Sequence, residues 1–413
     1  MSLANSRMIS IPYGKQGRFS CEVQAGRIVA STKPPEPCAD LTAEIESALE
    51  QPINFPPLEQ AVIPGDHVAI ALDRGTPESA ALMAATWRVL DKQGVAPEHI
   101  TIVQPRGSNV SSEIDPRVGL PSDVRERVIW KLHDPEEKDA CAYLAATAEG
   151  DRIYLARDLI AAEVVISIGL LSYDPMVGYR GTSSAFYPGL SDAESMRRAR
   201  GQSHSELGPD DVRPLRQRID EVAWLLGSQF SLQVVPSAAS GVARVLGGLA
   251  DSVFQTGKQL LAEHWSIHVA KRSDVVLVAV DEAIPGQGWE QLAMAIATAR
   301  RLVSSGGRII VLSELDEPLG PGMELVAQQE SPNDAVGPLR ELAPHDLLPA
   351  TQIALAAGWA SIYLMSQLDG DVVEDLFMVP LKNNDEVARL LEGDDSCAFL
   401  ASAQFAFASV QTD

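Results

Sequence analysis

The sequence predicts an α/β protein of two domains, each with a mainly parallel sheet flanked by helices. Short apolar runs of strand length alternate with amphipathic segments of helix length, a pattern typical of doubly wound parallel sheets. A chain of 413 residues is longer than one hydrophobic core usually serves. We therefore expect an N-terminal domain over residues 1–270, a smaller C-terminal domain over residues 271–413, and a ligand cleft between them.

The first domain opens with short strands within 19–30 and a helix over 41–51. A buried strand at 68–72 and a helix at 78–94, closed by a glycine, follow the proline-rich connection "PINFPPLEQ". Further strands are expected in "HITIVQPRGSN" and "VVISIGLLSYD", whereas the segment 205–270 reads as mostly helical.

The second domain repeats the alternation. Strands are expected in "SDVVLVAVDEA", "RIIVLSEL", "ASIYLMSQL", "FMVPL" and "CAFLASAQFAFASV", with a helix over 289–304 after the first of them. Because successive parallel strands are joined by right-handed crossovers, their following loops gather along one edge of each sheet.

In the first domain this rule brings together the loops that begin at Asp73, Gly107 and Tyr173. Asp73 stands at a strand end, where a carboxylate serves either a ligand or a helix cap. The third loop contains "GYRGTSSAFYPG" at 178–189, between a buried strand and a helix predicted to start near Ser191. Its hydroxyls and backbone amides suit an anion, although they also suit the capping of that helix.

Composition excludes several classes of partner. The formal net charge of −23 and the lack of a basic stripe disfavour nucleic acid and anionic membrane surfaces. The four cysteines form no CxxC pair, which is consistent with reduced thiols. No signal peptide is evident, and no apolar run reaches the roughly 20 residues that span a bilayer. We expect a cytoplasmic protein; nothing in the sequence determines its oligomeric state.

No metal site is expected. His264 and His268 lie four residues apart in "HWSIH", but neither a glutamate at the second position nor a third ligand accompanies them. The segment "GQGWEQ" at 286–291 lacks the third glycine of a dinucleotide-binding loop and reads as a tight strand-to-helix turn.

Several stretches together resemble the nickel-pincer lactate racemase family. In order they are "YGKQGRFSCEV", "ALEQPINFPPLEQ", "GDHVAIALDRGTP", "ITIVQPRGSN" and "GYRGTSSAFYPG", and "SSGGRIIVLSE" resembles a strand of that family's second domain. The resemblance implies two α/β domains with a site in the cleft. In active members a lysine attaches a nicotinate-derived pincer cofactor, a histidine ligates its nickel, and two histidines exchange the substrate proton while the cofactor accepts and returns a hydride.

The resemblance also implies that most of these chemical residues are replaced here. Ser184 stands at the attaching lysine, while Asp174 and Asn109 stand at the two proton-transfer histidines. Arg200 stands at the nickel ligand by ungapped counting from Ser184, and a guanidinium, always protonated, is a poor metal ligand. His204 lies one helical turn further and offers an imidazole if that helix continues past Gly201.

Two further positions complete the comparison. Thr76 stands at the arginine that is thought to hold the cofactor phosphate, and Gln291 keeps the family's glutamine. We therefore expect a small anionic ligand and no cofactor, with the nickel-pincer nucleotide present only if the family's chemistry survives. The candidate catalytic residues are Asp174 and Asn109, and the candidate ligand-binding residues are Asp73, Thr76, Thr182, Ser183, Ser184, Arg200 and Gln291.

Two enzymatic alternatives stay open. One is a racemase or epimerase of a 2-hydroxy acid, which needs the family's proton-transfer chemistry. The other is a different enzyme on the same scaffold, with Asp174 as a base and Arg200 binding a carboxylate or phosphate in a bidentate manner.

Overall fold

The computed structural model describes residues 6–107, 114–137, 139–201, 207–282 and 288–411. Contacts divide the chain into two compact units, each described here by itself. The first unit comprises Glu36–Ser237 and Gly241–Ala262, and the second comprises the residues up to Pro35, Ala238–Ser240 and the residues from Glu263 onward. This division differs from a single boundary at residue 270, since the N-terminal residues pack with the second unit.

The strands are mostly four to eight residues long. The first eleven are β1 (Ser6–Tyr13), β2 (Gly17–Gln24), β3 (Ile28–Ser31), β4 (Val68–Leu72), β5 (Ile100–Pro105), β6 (Ile129–His133), β7 (Cys141–Ala146), β8 (Arg152–Ala156), β9 (Val164–Leu170), β10 (Ser172–Asp174) and β11 (Gly178–Arg180). The others are β12 (Phe230–Pro236), β13 (Val242–Gly248), β14 (Ser266–Val269), β15 (Ser273–Ala279), β16 (Val303–Leu312), β17 (Ser361–Met365), β18 (Met378–Leu381), β19 (Cys397–Leu400) and β20 (Phe407–Val410).

The α-helices lie between the strands of both units. They are α1 (Leu41–Glu50), α2 (Ser79–Lys92), α3 (Ser122–Arg127), α4 (Arg157–Ala161), α5 (Ala193–Arg200), α6 (Pro214–Leu226), α7 (Ala250–Trp265), α8 (Gly288–Leu302), α9 (Pro321–Ala327), α10 (Val336–Leu342), α11 (Leu347–Ala357), α12 (Gly370–Asp375) and α13 (Asn384–Leu390). Among the described residues, no helix combines the length and apolar character needed to cross a membrane.

The first unit contains a six-stranded sheet in the order β13-β12-β9-β4-β5-β6. All its neighbours run parallel except β12 and β13, which are antiparallel. Every residue of β4 and β9 is buried, as strands covered on both faces require, and these runs are accordingly apolar almost throughout. Because β9, β4 and β5 are adjacent and parallel, the loops after them leave from the same edge of the sheet, as expected.

One prediction for this unit is wrong. The segment 205–270 contains the antiparallel pair β12 and β13 between α6 and α7, rather than mostly helix. β12, "FSLQVVP", is buried along its whole length and so lacks the alternation that marks a half-buried strand. Its pairing with β9 is a contact between residues about 64 positions apart, which local patterns do not reveal.

The second unit contains a six-stranded, wholly parallel sheet in the order β18-β17-β16-β15-β19-β3. From β15 the chain steps outward through β16, β17 and β18, then returns to place β19 on the other side of β15. This reversal is characteristic of doubly wound folds. The predicted fold class of two mainly parallel sheets flanked by helices is confirmed, while the expected cleft stays a prediction.

The N-terminal hairpin of β1 and β2 belongs to the core of the second unit. Its side chains Ile9, Ile11, Phe19 and Val23 are buried in the same cluster as Phe399 of β19. Phe19 and Phe399 are both fully buried, although 380 positions separate them in the chain. These contacts explain why the first residues fold with the last part of the chain.

We predict that Phe19→Ala lowers the free energy of unfolding of the second unit by about 3–5 kcal/mol, because it removes a fully buried aromatic ring. The control is Met8→Ala on the same hairpin, where the side chain is 66% exposed and the expected change is within about 0.5 kcal/mol. Urea unfolding followed by intrinsic fluorescence measures both. Equal, small effects of the two substitutions would show that the hairpin does not stabilise this unit.

Candidate functional site

An ion pair joins two loops at the carboxyl edge of the first unit's sheet. Asp73 follows β4 and extends its pairing, since its N–H donates to the carbonyl of Ile168 at 2.8 Å. Its Oδ2 accepts a hydrogen bond of 2.7 Å from Nη2 of Arg180, the last residue of β11, which also donates to the carbonyl of Arg74 at 3.3 Å. The two charged side chains are only 11% and 26% exposed, so water screens their attraction weakly.

A glycine makes room for this ion pair. A Cβ atom at Gly169 of β9 would lie 3.1 Å from Cβ of Asp73 and 3.0 Å from Oε1 of Gln233. Both distances are tighter than ordinary side-chain contacts allow, so any larger residue would displace the carboxylate or the amide. Gly169 therefore serves close packing between neighbouring strands.

Buried polar side chains lie on β9 and β12, the two strands next to the ion pair. Gln233 is fully buried, and its Nε2 donates to Oγ of Ser231 at 3.1 Å. Ser167 on the adjacent strand donates to the same oxygen at 2.9 Å. Oε1 of Gln233 has no hydrogen-bond partner among the described residues. A buried acceptor without a partner is costly and rare in native proteins, which marks this position as one where a partner is expected.

The hairpin of β10 and β11 carries Asp174 at its turn. Oδ1 of Asp174 accepts the backbone N–H groups of Met176 at 2.7 Å and Val177 at 3.0 Å. The carboxylate thus holds the turn in the manner of an Asx turn. Gly178 follows with a φ of +79°, and a Cβ there would lie 2.1 Å from the carbonyl of Pro209, so the hairpin tip packs directly on backbone.

Aromatic and charged side chains hold the hairpin on α7. The rings of Tyr173 and Tyr179 lie 5.1 Å apart, and Phe254 meets Tyr179 edge-on at 6.2 Å. Lys258 lies 4.9 Å from the Tyr179 ring and pairs with Asp210 at 2.6 Å. Burial, followed by the neighbouring Tyr173 and Asp210, raises the pKa of the Tyr179 phenol far above its ordinary value. Tyr179 is therefore a neutral packing residue and a hydrogen-bond donor at physiological pH.

The loop after β11 turns through a single 3₁₀ turn at Thr182–Ala185. Oγ of Ser184 accepts the N–H of Gly181 at 2.7 Å and donates to its carbonyl at 3.2 Å, so this hydroxyl closes the turn. Thr182 is 1% exposed and has a φ of +51°, and its Oγ1 has no hydrogen-bond partner within the described part of the chain. A β-branched residue in the left-handed region is a conformational outlier, of the kind that clusters at ligand-binding sites. Ser183 beside it is also buried.

Two other predicted ligand-binding residues of this unit lie in a turn and at a helix end. Thr76 is buried, and its hydroxyl donates to the carbonyl of Asp73 at 2.7 Å, which closes the turn after β4. Arg200 is the last residue of α5 and is partly buried. The N-cap of that helix is Asp192, whose side chain accepts a hydrogen bond from the N–H of Ser195 at 2.7 Å. The helix was expected to start near Ser191, which is one position earlier.

Three predicted residues fall outside this arrangement. Asn109 and His204 lie outside the described residues. Gln291 belongs to α8 of the second unit, where it is 8% exposed and its Oε1 has no partner among the described residues. The structure therefore brings Asp73 together with Thr76, through a hydrogen bond, and with Arg180, which lies two residues before Thr182.

Sequence reasoning missed Arg180, Gln233 and the serines beneath them. Arg180 lies within the quoted loop "GYRGTSSAFYPG", but a single arginine in a loop has no evident partner in the sequence. The signal that was available is the presence of polar residues in buried strands, Ser167 in "VVISIGL" and Gln233 in "FSLQVVP", together with Gly169 in the first of these strands. Such residues are retained inside a sheet when they have hydrogen-bonding partners.

Metal-binding chemistry does not fit the groups at this edge. Within the described ranges, no group of three or more histidine, cysteine, aspartate or glutamate side chains could hold a metal ion. At positions 184 and 200 the chain presents a hydroxyl that is already hydrogen-bonded and a guanidinium, which is always protonated. Neither supplies an amine for covalent attachment, and the guanidinium has no lone pair for a cation.

Comparison with known proteins identifies the N-terminal domain and the fold. Residues 13–206 match the model of the lactate racemase N-terminal domain. The fold resembles the lactate racemase apoprotein of Thermoanaerobacterium thermosaccharolyticum, with a TM-score of 0.78 and 17% identity over 97% of this chain and 100% of that one. It also resembles a protein of Thermotoga maritima, with a TM-score of 0.67 and 12% identity over 90% of this chain and 98% of that one. No curated protein sequence matches this chain.

The chain therefore contains a lactate racemase N-terminal domain at residues 13–206, and its fold over nearly the whole chain resembles that of a lactate racemase apoprotein. The resemblance identified from its motifs is confirmed. At 17% and 12% identity, the likeness to the two solved structures shows the fold and not the activity.

We predict that Asp73 and Arg180 are energetically coupled. Arg180→Met should destabilise the first unit by about 3–5 kcal/mol, because it leaves a largely buried carboxylate without its partner. Asp73→Asn should also destabilise, and the double variant should lose about 1–3 kcal/mol less than the sum of the single losses. Chemical denaturation of the four proteins measures this coupling.

Arg198→Ala is the matched control, since Arg198 pairs with Glu194 on the exposed surface of α5 at 3.0 Å. Its expected effect is within about 0.5 kcal/mol. Strictly additive losses for Asp73 and Arg180 would contradict the coupling.

Proposed function

We propose that this protein binds a small anionic ligand at the carboxyl edge of the first unit's sheet, without a covalently attached nickel-pincer cofactor. The observation that carries the proposal is the setting of the Thr182–Ala185 turn. At the position that the family resemblance assigns to the attaching lysine, the hydroxyl of Ser184 is hydrogen-bonded to Gly181, while the buried hydroxyl of Thr182 has no described partner.

The hydrogen-bonding groups at this edge suit a small hydroxy acid. Arg180 brings a guanidinium to this edge, where its Nη2 is paired with Asp73, and guanidinium groups are the side chains that most often recognise carboxylates. Asp73 accepts hydrogen bonds, and Oε1 of Gln233 is a buried acceptor beside Gly169. A ligand that bears one carboxylate and one hydroxyl complements a cation next to acceptors. We propose a 2-hydroxy acid as the ligand class.

Arg200 is proposed as a second cation for this ligand, because it replaces the family's nickel ligand. An always-charged side chain at that position changes the chemistry from metal coordination to anion binding. Thr76 replaces the arginine that is thought to hold the cofactor phosphate, and its hydroxyl closes a backbone turn instead. Both replacements support binding of a ligand smaller than a nucleotide.

An enzymatic role is the second candidate, either as a racemase or epimerase or as another enzyme acting on a 2-hydroxy acid. It requires a base, and Asp174 is the residue at the position of a proton-transfer histidine. Its Oδ1 already accepts hydrogen bonds from two backbone N–H groups, so this oxygen holds the turn of the hairpin. The setting of Asp174 therefore favours the binding function.

We predict that D- or L-lactate, or glycolate, raises the melting temperature of the wild-type protein, because ligands that bind only the folded state stabilise it. Arg200→Ala should remove most of this shift without lowering the melting temperature of the ligand-free protein by more than a few degrees. Arg198→Ala, two residues away on the exposed face of α5, should keep the shift. If none of these anions stabilises the wild type, or Arg200→Ala keeps the full shift, the assignment of Arg200 is wrong.

A second prediction concerns the cofactor. Protein produced together with the family's cofactor-synthesis enzymes should keep the mass of the unmodified polypeptide and contain nickel well below one equivalent, because Ser184 offers no amine for attachment. Intact-mass spectrometry and elemental analysis test this, with Ser184→Lys as the matched variant that restores the amine. Stoichiometric nickel with a mass increment in the wild type would contradict the proposal.

A further inference from the structure

We infer a second ligand site, for a small zwitterionic amino acid, at the carboxyl edge of the second unit's sheet. A cavity of about 590 Å³ opens there beyond the ends of β16, β17 and β18. The polar residues that define it are Ser313, Glu314, Ser366, Gln367, Lys382 and Asn383. Both the volume and the position beyond parallel strand ends are typical of small-molecule sites in α/β proteins.

Glu314 provides the negative end of the cavity. The backbone N–H of Lys15, in the turn of the N-terminal hairpin, donates to its Oε2 at 2.7 Å. A Cβ at Gly14 would lie 2.3 Å from Cδ of Glu314, so the turn presses against the carboxylate and fixes its position. The Lys15 ammonium pairs instead with Glu282 at 3.6 Å, and no described cation forms an ion pair with Glu314. Its charge is therefore available to an ammonium group of a ligand.

Tyr13 is consistent with this setting. Burial and the nearby Glu314 carboxylate raise the pKa of its phenol above the ordinary value. The phenol therefore stays neutral at physiological pH and does not add a second negative charge to the cavity. The negative end is a single carboxylate, which suits a single ammonium group.

Lys382 provides the positive end. It follows β18, and its backbone N–H is fixed by Oε2 of Glu386 at 2.8 Å. Its ammonium forms no ion pair with any residue in the described ranges, although the chain as a whole carries a net charge of −23. An exposed, uncompensated lysine that lines a cavity can bind the carboxylate of a ligand.

Neighbouring side chains add donors for that carboxylate. Oγ of Ser313 accepts the N–H of Leu315 at 2.8 Å, and Oγ of Ser366 accepts the N–H of Leu368 at 3.3 Å. Oδ1 of Asn383 is likewise used by backbone N–H groups at the start of α13. Because these oxygens already accept, the hydroxyl protons and the Asn383 amide protons remain to donate to a ligand.

The rest of the cavity wall is apolar and is formed by Met365, Leu368, Pro380 and Leu381. An α-amino acid carries a carboxylate, an ammonium and a side chain on one carbon atom. The carboxylate suits Lys382, the ammonium suits Glu314, and a small apolar side chain suits the apolar wall. The site lies within the second unit and does not depend on the proposed function of the first. A simple carboxylate lacks the cation that Glu314 would bind, which makes the amine the group that decides affinity.

Isothermal titration calorimetry with L-alanine and propionate tests this site, since the two share a carboxylate and a methyl group and differ only in the ammonium group. L-alanine should bind, and propionate should bind at least about tenfold more weakly. Glu314→Gln should weaken L-alanine binding about tenfold or more and remove its preference over propionate. Lys382→Gln should weaken L-alanine comparably.

Two controls separate this site from others. Glu282→Gln, which changes an acid beside the same hairpin turn, should keep the wild-type affinity for L-alanine, and so should Arg198→Ala on the exposed surface of the first unit. Glycine and L-serine extend the probe set to smaller and more polar amino acids. The inference is overturned if none of the three amino acids gives heat at about 10 mM, where a millimolar site would be mostly filled. It is equally overturned if Glu314→Gln and Lys382→Gln both leave the affinity unchanged.

Discussion

The ion pair between Asp73 and Arg180 is the interaction on which the first unit's candidate site depends. It ties the end of β4 to the end of β11 across 107 positions of sequence. Its position requires that residue 169 have no side chain, because the carboxylate lies against the backbone of β9. A pair so little exposed is weakly screened, but it loses much of its stability if either partner is removed. The ion pair therefore fixes the position of Arg180, from which the loop at Thr182–Ala185 follows.

Most of the polar side chains beyond that point are used to hold backbone. Ser184 closes the turn at Gly181, Thr76 closes the turn at Asp73, and Asp174 holds the turn of its hairpin. These are three of the residues that the family resemblance places at chemical positions. The buried oxygens of Thr182 and Gln233 have no hydrogen-bond partner among the described residues. Binding of a small anion, rather than cofactor chemistry, is therefore the function that we propose.

The second unit uses the same architectural rule with different chemistry. Its sheet is wholly parallel, so every loop after a strand leaves from one edge. Around the ends of β16 to β18 a single cavity is lined by Glu314, by Lys382 and by apolar side chains. The turn of the N-terminal hairpin fixes the carboxylate, which gives the first residues of the chain a role in a site formed mainly by the last.

Local patterns in the sequence were sufficient to predict the fold class, strands such as β4, β9 and β15, and helices α1, α2 and α8. Each of these segments shows its own apolar run or helical periodicity, so no information about distant residues is needed. The order of motifs was likewise sufficient for the resemblance to lactate racemases. Tertiary structure alone decided the features that join distant residues. They include the pairing of β12 with β9, the packing of Phe19 against the core that contains Phe399, and the ion pair of Asp73 with Arg180. Tertiary structure also decided that the Ser184 hydroxyl turns back to Gly181, since the direction of a side chain depends on the backbone conformation around it and not on the motif that contains it.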